Sequence, residues 1–99
     1  MKHGRDGDME VKGIYMVSGD NVVTVASPVS KGDVVVYQYG ERMVEITAVS
    51  DIPIYHKIAA SAVRKGDTIV KYGERIGLAS KDILRGEHIH THNLVSNDQ

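Results

Sequence analysis

The sequence predicts a small, mostly β domain, and three observations predict it. The apolar residues are lopsided, with 14 Val and 9 Ile against 3 Leu and with no Phe or Trp. β-Branched side chains lose χ1 freedom in a helix and pack well on a pleated sheet. Ten glycines sit among short polar clusters that punctuate Val- and Ile-rich runs, as turns punctuate strands. A hairpin-like segment also occurs twice. Ser27-Pro28-Val29-Ser30-Lys31-Gly32-Asp33 resembles Ser61-Ala62-Val63-Arg64-Lys65-Gly66-Asp67, and Tyr39-Gly40-Glu41-Arg42 recurs as Tyr72-Gly73-Glu74-Arg75.

The elements follow in chain order. Residues 1–10, MKHGRDGDME, lack periodicity and are expected to form a flexible leader, with His3 solvated in it. The domain is expected over residues 11–95 and a frayed tail over 96–99. Residues 11–17 read as a strand, Ser18-Gly19-Asp20-Asn21 as a turn and residues 22–26 as a second strand. Residues 34–39 run into Gly40-Glu41 and return over 42–46. Glycine at the first central position suits a two-residue type II′ turn. The second copy is expected to run over 68–72, turn at Gly73-Glu74 and return over 75–79. The Lys-Gly-Asp elements supply the chain reversal into each hairpin, and Arg85-Gly86-Glu87 is a third, partial copy. Ala59-Ala60-Ser61-Ala62-Val63 has the one helix-friendly composition and predicts a short helical turn. Two near-complete copies favour a pseudo-symmetric domain over a solenoid.

Composition narrows the function. A chain of 99 residues makes one small domain. Twelve basic against thirteen acidic residues leave a net charge of −1, so no basic field exists for a nucleic-acid backbone. The apolar runs are too short for a transmembrane span or a signal-peptide core. No Cys means no disulfide, no thiolate nucleophile and no Cys-ligated iron–sulfur cluster on this chain. That composition suits a cytoplasmic location. A core without large aromatics is thin, so a partner that helps to bury it is expected, with a homo-oligomer as one form. No phosphate loop, nucleophile elbow or His-Glu-x-x-His motif is present.

The most informative stretch is Gly86-Glu87-His88-Ile89-His90-Thr91-His92-Asn93-Leu94. On a strand, His88, His90 and His92 would share a face, with neighbours roughly 6–7 Å apart. Two imidazoles at that spacing close on one metal at about 2.1 Å per bond, but the outer pair, roughly 13 Å apart on a flat strand, does not. At most two would then ligate, with a further ligand from elsewhere. The alternative is an exposed polar face with Thr91 and Asn93 as hydrogen-bond formers. In Ile52-Pro53-Ile54-Tyr55-His56-Lys57-Ile58, Pro53 biases Ile52 toward an extended conformation. His56 is a group able to move a proton near neutral pH, or else an ordinary surface histidine. An extended segment would point His56 and Lys57 to opposite faces. Lys71 offers a point charge to a carboxylate, or else is a solvated strand lysine.

Together these residues resemble a known family. Asp20-Asn21-Val22-Val23-Thr24-Val25-Ala26 resembles its opening strand, and Ile54-Tyr55-His56-Lys57-Ile58-Ala59 its central His-Lys element. The stretch from Arg64 through Lys71-Tyr72-Gly73-Glu74-Arg75-Ile76-Gly77 is similar to its Lys-Tyr-Gly hairpin. The stretch from Asp82-Ile83 to His88-Ile89-His90-Thr91-His92-Asn93 is similar to its His-Thr-His-Asn end. The resemblance is to the SAF-type β-clip domain of altronate and galactarate dehydratases, with the small subunit of sulfolactate sulfo-lyase as a close relative. It covers roughly residues 14–95. One departure is Tyr55, where the family commonly has Gly before the histidine.

The resemblance implies a small subunit of a sugar-acid dehydratase, a hydro-lyase inactive alone and completed by a separate large catalytic subunit. The chain ends six residues after Asn93, which leaves no room for that region. Elimination from a small hydroxy acid is implied, with His56 and Lys57 as catalytic candidates. Lys71 and Asn93 are candidates for binding substrate, and His88, His90 and His92 for holding a divalent Fe²⁺, Mn²⁺ or Mg²⁺ ion. The alternatives are the sulfo-lyase small subunit and a non-catalytic module that binds carbohydrate or supports assembly.

Overall fold

A computed structural model describes residues 10–12 and 16–96. Among the described residues nine strands follow one another: β1 Glu10–Lys12, β2 Val22–Thr24, β3 Val34–Tyr39, β4 Arg42–Thr47, β5 Lys57–Ala59, β6 Thr68–Lys71, β7 Glu74–Ala79, β8 His88–Ile89 and β9 Leu94–Ser96. They form three three-stranded sheets in the orders β1-β3-β4, β2-β5-β8 and β6-β7-β9. β1 runs parallel to β3, and the other named pairs are antiparallel. The mostly β expectation holds, and no helix occurs among the described residues.

The sheet β2-β5-β8 partitions the interior. Strand periodicity sends adjacent residues to opposite faces. Val23 and Ile58 therefore enter a first core with Val25, Val29, Val35, Tyr37, Ile46 and Ile52. Val22, Ala59 and Ile89 enter a second with Val63, Ile69, Ala79 and Ile83. β2 and β5 read as unbroken apolar pairs because both their faces are covered. Val and Ile fill these cores, as their weight in the composition demands.

Two isolated bridges repeat the pseudo-symmetry, Val29 with Ile52 and Val63 with Ile83. Before each hairpin the Lys-Gly-Asp turn forms in the same way. The Asp33 amide donates to the Ser30 carbonyl while the Asp33 carboxylate accepts from the Ser30 amide, and Asp67 does both with Arg64. The partial copy follows suit, Glu87 bonding Leu84. So does a fourth that was read only as a turn cluster, Asp20 bonding Val17.

Four expectations need correction. The helical turn at residues 59–63 is absent, because Ala59 pairs with Val22 in the sheet and the Ala60 amide donates to the Asn21 carbonyl. The second hairpin turns at Tyr72-Gly73, since Lys71 pairs with Glu74. The C-terminal strand breaks after Ile89 and resumes at Leu94. Glu10 and Ser96, expected in the leader and tail, are paired in β1 and β9. The rest of the leader, His3 included, and residues 97–99 lie outside the described residues.

Candidate functional site

The imidazole cluster forms where two chain reversals meet at the end of the central sheet. His56 closes the turn that starts at Pro53, its amide donating to the Pro53 carbonyl at 3.0 Å. Tyr55, next to it, has φ of 68°. That is the left-handed region, which costs a side-chain-bearing residue roughly 1–2 kcal/mol. The departure from Gly at this position therefore leaves the turn intact and strained. The Val25 amide donates to the His56 carbonyl at 2.9 Å, which ties the turn to the end of β2.

β8 delivers His88, paired with Ile58 and held by its amide donating to Ser50 Oγ. Beyond Ile89 the chain turns, and the Asn93 and Leu94 amides both donate to the His90 carbonyl. Asn93 builds this turn. It is fully buried, its Oδ1 accepts from the His90 amide at 3.0 Å, and its Nδ2 donates to the His88 carbonyl at 2.9 Å. Asn93, expected to bind substrate, is buried here with both ends of its amide bonded to the backbone.

The turn gathers rings that a flat strand would separate. Ring centroids lie 4.2 Å apart for His56 and His90, 5.1 Å for His56 and His88, and 5.1 Å for His88 and His92. Nδ1 of His56 and Nε2 of His88 are 2.9 Å apart, so one ring donates to the other. One nitrogen from each of His56, His88 and His90 lies within 4.8 Å of the others. The ligand-spaced trio thus takes His56 from the other turn in place of His92, which lies outside it with its ring tilted by 40° against that of His88.

Burial holds the His88 imidazole neutral, at a pKa lowered to about 4, with His92, His56, His90 and Lys57 adding repulsion. His90 is lowered too, by desolvation and then by His56, Lys57 and His92. A neutral imidazole keeps the lone pair that ligation or proton abstraction needs. Lys57 lies on the other face of the sheet, across from Thr24 and Ile89. Its pKa is lowered by burial and by Lys71, while the Lys71 ammonium sits 4.9 Å over the Tyr72 ring. Sequence reasoning missed Thr24, whose buried hydroxyl has no hydrogen-bond partner among the described residues. Its neighbours across the sheet exist only in the fold.

A module whose described residues are strands and turns, and which clusters imidazoles where two turns meet, belongs to the class of small β domains that bring polar side chains to a site at a sheet's end. Residues 11–97 match the SAF domain of altronate/galactarate dehydratases, and the chain belongs to that family. It is 45% identical over 78 residues to an altronate dehydratase of Bacillus subtilis, covering 79% of this chain and 15% of that protein. It is 52% identical over 48 residues to subunit alpha of the (2R)-sulfolactate sulfo-lyase of Paracoccus pantotrophus, covering 48% of this chain and 72% of that subunit. The corresponding subunit of Chromohalobacter salexigens is 35% identical over 54 residues, 54% of this chain and 57% of that subunit. These relatives are lyases, and the chain spans a small fraction of the Bacillus enzyme. No helix among the described residues is long and apolar enough to cross a membrane.

Proposed function

We propose that the protein is the small subunit of a sugar-acid dehydratase of the altronate/galactarate type, a carbon–oxygen hydro-lyase inactive until a separate large subunit completes its site. The observation that carries this reading is the imidazole trio on an open end of the sheet, with His90 exposed and His56 and His88 half-buried. A site built this way is one wall of a cleft. Similarity to a protein named as a subunit, over 72% of its length, supports a two-chain arrangement.

Elimination removes the proton α to a carboxylate, and the neighbouring hydroxyl leaves as water after taking a proton. The His88 imidazole is held neutral and is suited to accept a proton or to ligate. Two ligands at right angles and about 2.1 Å from an ion stand about 3.0 Å apart, close to the 2.9 Å between His56 and His88. That spacing supports a divalent metal as the ligand of the trio. Three nitrogen donors and no carboxylate suit Fe²⁺ or Mn²⁺ better than Mg²⁺, which prefers oxygen. When bound, such an ion supplies Lewis acidity for the charge that develops on substrate oxygens. Lys57, which acts on both His88 and His90, adds positive charge nearby.

The test is co-expression with the large subunit of a dehydratase and assay against a panel of hydroxy acids. His90→Ala is expected to abolish activity of the reconstituted pair while the fold, read by circular dichroism, stays intact. Normal turnover by that variant removes the proposal. A second reading, the small subunit of a sulfolactate sulfo-lyase, is favoured by the 52% identity to that subunit. Release of sulfite rather than water in the same panel identifies it.

A further inference from the structure

Thr24 stands out in the interior. It is 8% exposed, and its Oγ1 is buried with no partner among the described residues. An unpaired buried hydroxyl loses its hydration without recompense, so a protein keeps one where something else satisfies it. Thr24 pairs with Lys57 across β2 and β5, and directly opposed residues share a face. Lys71 ends β6, which the Asn21 side chain stitches to the start of β2 through Thr68 and Val70. That stitching sets the end of β6 beside the start of β2. Lys71 is near enough to lower the Lys57 pKa, after burial. A buried, unpaired hydroxyl that shares its face with one lysine and has a second lysine nearby lacks one component, an oxyanion.

We propose that Thr24, Lys57 and Lys71 form a subsite for the carboxylate or sulfonate end of the substrate, with the imidazole cluster as its neighbour. The Lys57 stem, directly across the strand pair, is the cover that an incoming anion draws aside to reach the hydroxyl. Lys57 thus binds charge in place of the catalytic role its position beside His56 suggested. The ligand's identity rests on the proposed function, but anion binding does not, because it needs neither metal nor large subunit.

The test is a titration of the full chain in chelator, followed by NMR of the Thr24 methyl and the lysine side chains. The probes are tartrate, 3-sulfopropionate and the neutral polyol erythritol, with sodium chloride at matched ionic strength as control. Saturable shifts at Thr24, Lys57 and Lys71 with either anion and none with erythritol are expected; the tighter anion identifies the oxyanion. Thr24→Val, isosteric and free of the unpaired hydroxyl, should retain the fold and weaken binding about fivefold or more. Lys71→Met should weaken it about tenfold or more. Shifts that sodium chloride reproduces, or a Thr24→Val variant that binds as tightly as the parent, overturn the subsite. Loss of lyase activity in His90→Ala with anion binding intact separates this result from that of the proposed function.

Discussion

The two hairpins begin from the same four residues and turn at different places. In the first, Tyr39 pairs with Arg42 and Gly40-Glu41 forms the turn, with Gly40 at φ 63°. In the second, Lys71 pairs with Glu74, and Tyr72 and Gly73 are both left-handed at φ 53° and 78°. That is the pattern of a type I′ turn. The register is restored by a bulge between Ile69 and Val70. The cause lies outside the hairpin. The Asp20 carboxylate accepts from the Tyr72 and Gly73 amides at 2.8 and 2.7 Å, and Asn21 occupies the bulge by bonding Thr68 and Val70. Identical turn chemistry is thus decided by what packs behind it. The difference bears on function, because the second register sets where Lys71 ends its strand.

The largest expected effect comes from the third copy of the basic-Gly-acidic turn. Gly32, Gly66 and Gly86 share φ values of 96°, 93° and 91°. A Cβ on the first two meets open space, whereas on Gly86 it would collide with the Thr47 carbonyl. Gly86→Ala should therefore cost about 3–4 kcal/mol, against about 1–2 kcal/mol for Gly66→Ala, measured by urea unfolding. Equal costs would mean that the third turn is not pressed against the first hairpin.

Asp20→Ala tests the comparison directly. It leaves the Tyr72 and Gly73 amides without their acceptor and should cost about 2–3 kcal/mol. The second hairpin should relax toward the register of the first, giving cross-strand NOEs between Tyr72 and Arg75. A variant that keeps the Lys71–Glu74 pairing would show that the hairpin sets its own turn.

Acid should strike the imidazole end while sparing the hairpins. His88 has a folded pKa of about 4 against 6.5 when unperturbed. Between those values the unfolded chain binds a proton that the folded chain refuses, so stability falls as pH falls from about 6.5 to about 4. Measured in chelator, the urea midpoint should drop across that window, and His88→Asn should flatten the dependence.

The smallest effect is a gain. Tyr55 is 69% exposed and left-handed, so Tyr55→Gly relieves strain at little loss of packing. It should stabilise the chain by about 0.5–1 kcal/mol, net of the added entropy of the unfolded chain. Destabilisation would show that the Tyr55 ring makes contacts worth more than its strain.

Much of the fold was legible because strands and turns are local. Val34 to Thr47 carries its hairpin as two β-branched segments around Gly-Glu, and the Lys-Gly-Asp turns need only a left-handed Gly followed by a carboxylate that reaches back three residues. The candidate site was legible in part. His88, His90 and His92 stood out by spacing, but the part Asn93 plays in bending the chain before β9 was not legible, because its burial is not written in its neighbours. Thr24 carried no signal, since a threonine within a strand is ordinary until its cross-strand partner is known.

The sequence by itself determined that this protein is built of short strands and glycine turns, because β-branched side chains and left-handed glycines act within a few residues of themselves. Only the tertiary structure decided that His56 joins His88 and His90, and that one of two identical turns is recast by Asp20. Those outcomes depend on groups 32 to 53 residues apart in the chain meeting in space. No local propensity encodes such meetings; the packing of the two cores against the central sheet does.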